Sequence, residues 1–144
     1  MNFILKNKRV FMVEDHAGNM AIMMTLLQQQ GATVKHDRWG KQSVEKLINF
    51  APVDIILLDL MISDQISGYD IFDQIRQLKE FDNIPIVAVS ASDPSSAIPK
   101  TRNKGFAAFI AKPIDIDRFP NQLATVLDGE AVWDIGSSYW NLRG

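Results

Sequence analysis

Apolar positions along the chain alternate between two kinds of pattern. Short, almost unbroken apolar runs at 9–14 (RVFMVE), 55–58 (IILL), 86–89 (IVAV, introduced by Pro85) and 107–111 (AAFIA) predict strands, and 33–36 (TVKH) is read as a further short strand. A run apolar at every position suits a strand covered on both faces. Between these runs the spacing becomes helical. Met20, Met23, Met24 and Leu27 predict a helix over 20–30, closed by Gly31. Val44, Leu47 and Ile48 predict a second over 41–50, and Ile71, Phe72, Ile75 and Leu78 a third over 68–80. A weaker helical stretch over 95–104 stops at Gly105, and a last helix runs to about Leu127. The alternation predicts an α/β domain, a doubly wound five-stranded parallel sheet with helices on both faces.

Two prolines adjust the helix starts. Interior proline costs about 3 kcal/mol or more. The fourth helix is therefore expected to begin near Ser96, with Pro99 in its first turn, where no backbone donor is needed. That leaves it short and loosely held. By the same reasoning Asp117 rather than Asp115 is expected to cap the last helix, so that Pro120 is tolerated.

Composition narrows the function classes. The length of 144 residues fits one domain, and 47% hydrophobic residues can fill its core. The absence of cysteine removes disulfides, zinc–thiolate sites and cysteine nucleophiles. With 15 basic and 17 acidic residues, net charge −2, nothing marks an electrostatic nucleic-acid binder. The opening MNFILKNKRV has its lysines after the apolar residues, unlike a secretory signal, and no window approaches the ~18 apolar residues of a membrane span. A cytoplasmic location is expected.

Sheets of this kind place ligands beyond the carboxyl ends of their strands. Glu14 and Asp15 follow the first strand, Asp59 the third, Ser90 the fourth and Lys112 the fifth. Each has an ordinary reading; Asp15, for example, could cap the next helix. Together they suggest more. Crowded carboxylates raise one another's pKa unless a cation sits among them. Hard oxygen ligands without histidine favour Mg²⁺. A lysine and a hydroxyl beside such a cluster make a place for a phosphoryl group. The stretch LLDLMISDQISGYD holds two further aspartates: Asp64 is expected to face water, and Asp70 to sit in a first helical turn, where negative charge suits the dipole.

With Glu14-Asp15, Asp59 in IILLDLM, Ser90-Ala91 and Lys112-Pro113 in this order, residues 9–127 resemble the receiver domains of two-component response regulators. The resemblance implies a flavodoxin-like receiver fold, and a signalling switch rather than an enzyme. It implies that Asp59 is the phosphoacceptor, and that Glu14, Asp15, Asp59 and the backbone carbonyl of Met61 hold Mg²⁺. Lys112 would pair with one phosphoryl oxygen and Ser90 donate to another, while the small Ala91 leaves access. The Lys112–Pro113 bond would be cis. Phe109 would be the aromatic that responds to movement of Ser90, acting sterically, with Phe106 falling before the strand. The implied partners are a sensor histidine kinase or phosphotransfer protein and a downstream protein target, with no nucleic acid or membrane; a homodimer is compatible.

The chain departs from the family pattern in places. Glu14 stands where an aspartate is commoner. Ser63 replaces a usual proline, and one residue is inserted between Met61 and Gly68. The insertion is expected to bulge into solvent with the Met61 carbonyl in place. Residues 128–144, with Trp133, Tyr139 and Trp140, lie beyond the receiver (1–127) and are too few for an output domain. They are expected to fold back on the domain or to contact a second subunit or a kinase. The rival readings are a degenerate receiver acting as an adaptor, an aspartate-nucleophile phosphatase of the haloacid dehalogenase type, which would want D-x-D where this chain reads E-D-H, and a flavin-binding flavodoxin-like module, whose phosphate loop would not read EDHAGN.

Overall fold

A computed structural model describes residues 2–63 and 65–136. The elements run β1 (Arg9–Val13), α1 (Ala17–Gln29), β2 (Thr33–Asp37), α2 (Ser43–Phe50), β3 (Ile55–Leu58), α3 (Gly68–Arg76), a 3₁₀ turn (Lys79–Phe81), β4 (Ile86–Ser90), α4 (Pro94–Lys104), β5 (Ala108–Ala111), α5 (Phe119–Leu127) and β6 (Val132–Asp134). The sheet order is β2-β1-β3-β4-β5-β6, with every neighbouring pair parallel. Side chains alternate across a strand, so each strand feeds both faces. Phe11, Val13, Ile56, Leu58, Ala88 and Phe109 point into a core shared with α2, α3 and α4. Val10, Met12, Ile55, Leu57, Val87, Val89, Ala108 and Ile110 point into one shared with α1 and α5. Burying each large apolar side chain is worth about 1.5–3 kcal/mol.

Several boundaries differ from the sequence expectation, each for a local reason. α1 starts three residues early because His16, not Asp15, caps it: His16 Nδ1 accepts from the Asn19 amide at 3.1 Å. α4 starts at Pro94 rather than near Ser96. Pro94 takes the donor-free first position, and Asp93 caps it by accepting from the Ser95 amide at 3.1 Å. Pro99 is therefore interior to an 11-residue helix. α5 is held at its start by Asp115, not Asp117, whose side chain accepts from the Asp117 and Arg118 amides. Pro120 then falls in the first turn, as expected. Ile48 of the predicted α2 stripe is exposed, while Leu47 is buried.

The sheet gains a sixth strand where the sequence reading ended the domain at Leu127. The chain turns at Gly129, in the left-handed region (φ 92°), and lays β6 along β5. Buried Asp134 anchors it, accepting from Gln122 Nε2 of α5 at 2.9 Å and from the Gly136 amide at 2.8 Å. Tyr139 and Trp140, and the Asp64 expected to face water, lie outside the described residues. Among the described residues no helix is long and apolar enough to cross a membrane.

Candidate phosphoacceptor site

The parallel register brings the carboxyl ends of β1 and β3 side by side, with Val13 opposite Leu58. Glu14, Asp15 and Asp59 emerge there, and each offers an oxygen within 4.8 Å of the others. β4 and β5 pair Ser90 with Ala111, which sets Lys112 beside the same edge, its amide donating to the Ser90 carbonyl at 2.9 Å. The Lys112–Pro113 peptide is cis. The lysine ammonium reaches between two acids: it donates to Asp59 Oδ2 at 2.8 Å and ion-pairs with Glu14 Oε1. Asp59 Oδ1 accepts from the Met61 amide at 3.2 Å.

Burial makes this cluster electrostatically expensive. Glu14 is 1% exposed. Its burial pushes the carboxyl up to about 7; Lys112 opposes the rise and Asp59 adds to it. Burial works to lower Lys112, but hydrogen bonds to Asp59 and Glu14 outweigh it and hold the ammonium above its usual value. A compact, all-carboxylate set fits a hard divalent cation.

The lengthened loop after Asp59 is closed by hydrogen bonds where proline would have stiffened it. Ser63 Oγ accepts from the Gln65 and Ile66 amides, and the Ser63 amide donates to the Ile66 carbonyl at 3.1 Å. Met61 and Ser67 form an antiparallel bridge across its neck. Ser63 and Gln65 face solvent, as expected of the insertion, but Ile62 is buried and pins the loop to the core. Ser67 and Asp70 then form a reciprocal capping box on α3.

Gly68, the first residue of α3, is the tightest contact in the site. A Cβ there would lie 2.2 Å from the Asp59 carbonyl oxygen and 2.9 Å from its carbon. The obstacle is backbone, so no rotamer relieves it. Overpacking costs about 1–3 kcal/mol, occasionally more. Gly68→Ala is expected to lose about 3 kcal/mol in urea unfolding and to weaken Mg²⁺ binding by displacing Asp59. Unchanged stability and binding would show that the contact is not as close as described.

A profile of the response regulator receiver domain matches residues 10–124. The chain belongs to the response regulator receiver family. Among curated relatives, the polar-differentiation response regulator DivK of Brucella ovis is 28% identical over 120 residues, covering 83% of this chain and 96% of DivK. Among solved structures, a putative response regulator from Chloroflexus aurantiacus superposes with a TM-score of 0.78 at 20% identity, over 85% of this chain and 99% of that one. The chemotaxis response regulator CheY4 of Vibrio cholerae gives 0.75 at 18%, over 84% and 99%.

The receiver also contains site neighbours that the sequence reading did not single out. Ser92 shares a 3.0 Å hydrogen bond with the Ser90 hydroxyl, and its amide donates to the same oxygen at 3.2 Å. Arg38, in the loop after β2, donates to the Asp15 carbonyl at 3.4 Å and lies over the exposed Trp39 ring. The run VSAS carried a signal for Ser92; nothing in the spacing pointed to Arg38. Phe109 is fully buried, opposite Ala88 on β4 and Trp133 on β6. Phe106 lies before the strand, stacked on Phe72 with centroids 4.5 Å apart.

Proposed function

We propose that this receiver is a phosphoacceptor switch: Asp59 takes a phosphoryl group from a phosphohistidine on a kinase or phosphotransfer protein, and the altered surface signals by protein contact. The observation that carries the reading is the convergence of Glu14, Asp15, Asp59, Ser90 and Lys112 at one sheet edge, with Lys112 already bridging Glu14 and Asp59. One Asp59 oxygen attacks phosphorus as the phosphorus–nitrogen bond breaks, and the departing imidazole nitrogen keeps the bonding pair. Glu14, Asp15 and Asp59, with the Met61 carbonyl, would hold Mg²⁺, which when bound withdraws charge from the phosphoryl oxygens. Lys112 exchanges its bond to Asp59 Oδ2 for one to the phosphoryl group, so the buried ammonium keeps a partner throughout. Ser90 leaves Ser92 and donates to a second phosphoryl oxygen. Phe109 has no exposed position to swing from, so it responds by repacking in place.

Beside Lys112 a groove of about 240 Å³ runs between α1 and the segment after β5, lined by Ile22, Met23, Pro113, Ile114 and Ile116. Ile22 and Ile116 are both exposed, an apolar rim suited to the phosphodonor protein.

Incubation with Mg²⁺ and a small acyl phosphate is expected to add the mass of one phosphoryl group, acid-stable and base-labile, mapping to the peptide that contains Asp59. No mass gain would favour the adaptor reading; a gain elsewhere would remove Asp59 from its role.

A further inference from the structure

A second cavity opens between the turn after β2 and the lengthened loop after Asp59. It holds about 560 Å³, within the ~300–1,000 Å³ typical of small-ligand sites. Trp39, Lys41 and Gln42 wall it on one side, Ser63 and Gln65 on the other. None of Glu14, Asp15, Asp59, Ser90 and Lys112 lines it, nor does any residue of the groove beside Lys112. The two walls are fixed to one another. Gly40, at φ 80°, lets the turn lie directly on the loop: a Cβ there would come within 3.1 Å of Ile66 Cγ2 and 3.4 Å of Ile62 Cγ2. Ile62 is itself buried. Buried Asp37 ties the turn to α2, accepting from Ser43 Oγ at 2.5 Å and from Lys46 Nζ at 3.0 Å. The cavity is therefore preformed, and the one acid among its described lining residues is already engaged.

The lining selects a ligand by chemistry. Trp39 is 61% exposed, and the Arg38 guanidinium lies 4.9 Å from its ring centroid. A cation on one face holds the indole in place and leaves the other face for a planar ring. Lys41 is exposed and forms no salt bridge among the described residues. Lys46 gives Asp37 one of its three ammonium donors and keeps two. Gln42 lends no side-chain cap to α2, so its amide is available to the polar edge of a ligand. We propose that this cavity binds a nucleoside monophosphate, with the base stacked on Trp39 and the phosphate held by Lys41 and Lys46. Lysines bind phosphate as point charges, without the planar fork that suits a carboxylate. Base stacking tolerates any base, since every base has a π-face. The site goes beyond the phosphoacceptor reading and is independent of it: no phosphoryl group moves and no metal takes part.

The test uses the full-length ¹⁵N-labelled chain without Mg²⁺, so that the acids cannot recruit a phosphate through a metal. The probes are adenosine and guanosine 5′-monophosphate; adenosine and inorganic phosphate are the controls. The monophosphates are expected to shift the Trp39 indole N–H and the amides of 37–46 and 63–66, and to weaken with salt. They are expected to bind about tenfold more tightly than either control or better, because each control keeps one of the two contacts. Trp39→Ala and Lys41→Gln, both at exposed positions, are expected to fold as the parent does and each to weaken binding about tenfold. No saturable shift with either monophosphate, shifts centred on Asp59 and Lys112, adenosine binding as tightly as its monophosphate, or unchanged affinity in either variant overturns the site. Phosphoryl incorporation at Asp59 is measured separately, and its failure leaves the outcome of this titration unaltered.

Discussion

Asp59→Asn is expected to abolish phosphoryl incorporation from every donor, because an amide is no nucleophile. The substitution keeps the volume of the side chain, so its structural consequences are readable atom by atom. Asp59 Oδ1 accepts from the Met61 amide and Oδ2 from Lys112 Nζ. An asparagine has one acceptor oxygen for those two donors. Whichever way it turns, its amide nitrogen faces a donor, at a cost of about 1–3 kcal/mol. Against that, removing one charge from a buried carboxylate cluster relieves repulsion, and the part of the Glu14 shift that Asp59 causes disappears. The two effects oppose, so unfolding free energy is expected to stay within about 2 kcal/mol of the parent. Mg²⁺ affinity falls because one of three carboxylates is gone. Isothermal titration and urea unfolding separate the consequences. Residual incorporation in Asp59→Asn would place the acceptor elsewhere.

The positions that set the site were legible because they depend on short-range pattern. β3 is a run of four apolar residues ending at an acid, and its observed bounds, Ile55–Leu58, are those the pattern predicts. Once the strands are placed and known to be parallel, the residues after β1, β3, β4 and β5 must gather at one edge. What was not legible depends on tertiary placement. β6 is three residues, VWD, ending in a carboxylate that is tolerated in the interior only because Gln122 and the Gly136 amide receive it. No periodicity encodes that. Pro99 was read as forcing a late start to α4. In the structure Pro94 and Asp93 make a better start, and the interior proline is accommodated in the helix. Local cost alone misplaced the boundary because a favourable cap farther upstream outweighed it. The His16 cap escaped notice since histidine seldom fills that position; here its Nδ1, rather than the Asp15 carboxylate, is the acceptor, which leaves Asp15 with the other acids.

The raised Glu14 pKa makes the metal-free chain lose stability as pH rises, the reverse of the usual carboxylate. The unfolded chain titrates this group near 4.5, and the folded chain near 7. A folded-state pKa above the unfolded one means that folding favours the protonated form. The associated stability is fully present below 4.5 and is lost as pH climbs through about 7. At ~1.4 kcal/mol per pKa unit the loss is about 3 kcal/mol. Neither Lys112 nor Asp37, the other two shifted groups near Glu14, obscures this window. Lys112 is raised from 10.5, so its contribution holds until more alkaline pH. Asp37 is lowered from 3.8, where burial is outweighed by hydrogen bonds from Ser43 and Lys46, so its contribution is lost only as pH falls below that value. Urea unfolding of the metal-free protein across this range is expected to show the decline, and Glu14→Gln, permanently neutral, to flatten it. Excess Mg²⁺ is expected to recover stability at the upper end, because a bound cation favours the charged carboxylates of the folded state. A decline of the same size in Glu14→Gln would assign the pH dependence to another group. A chain indifferent to Mg²⁺ at pH 7 would mean that Glu14, Asp15 and Asp59 do not act together as a cation site.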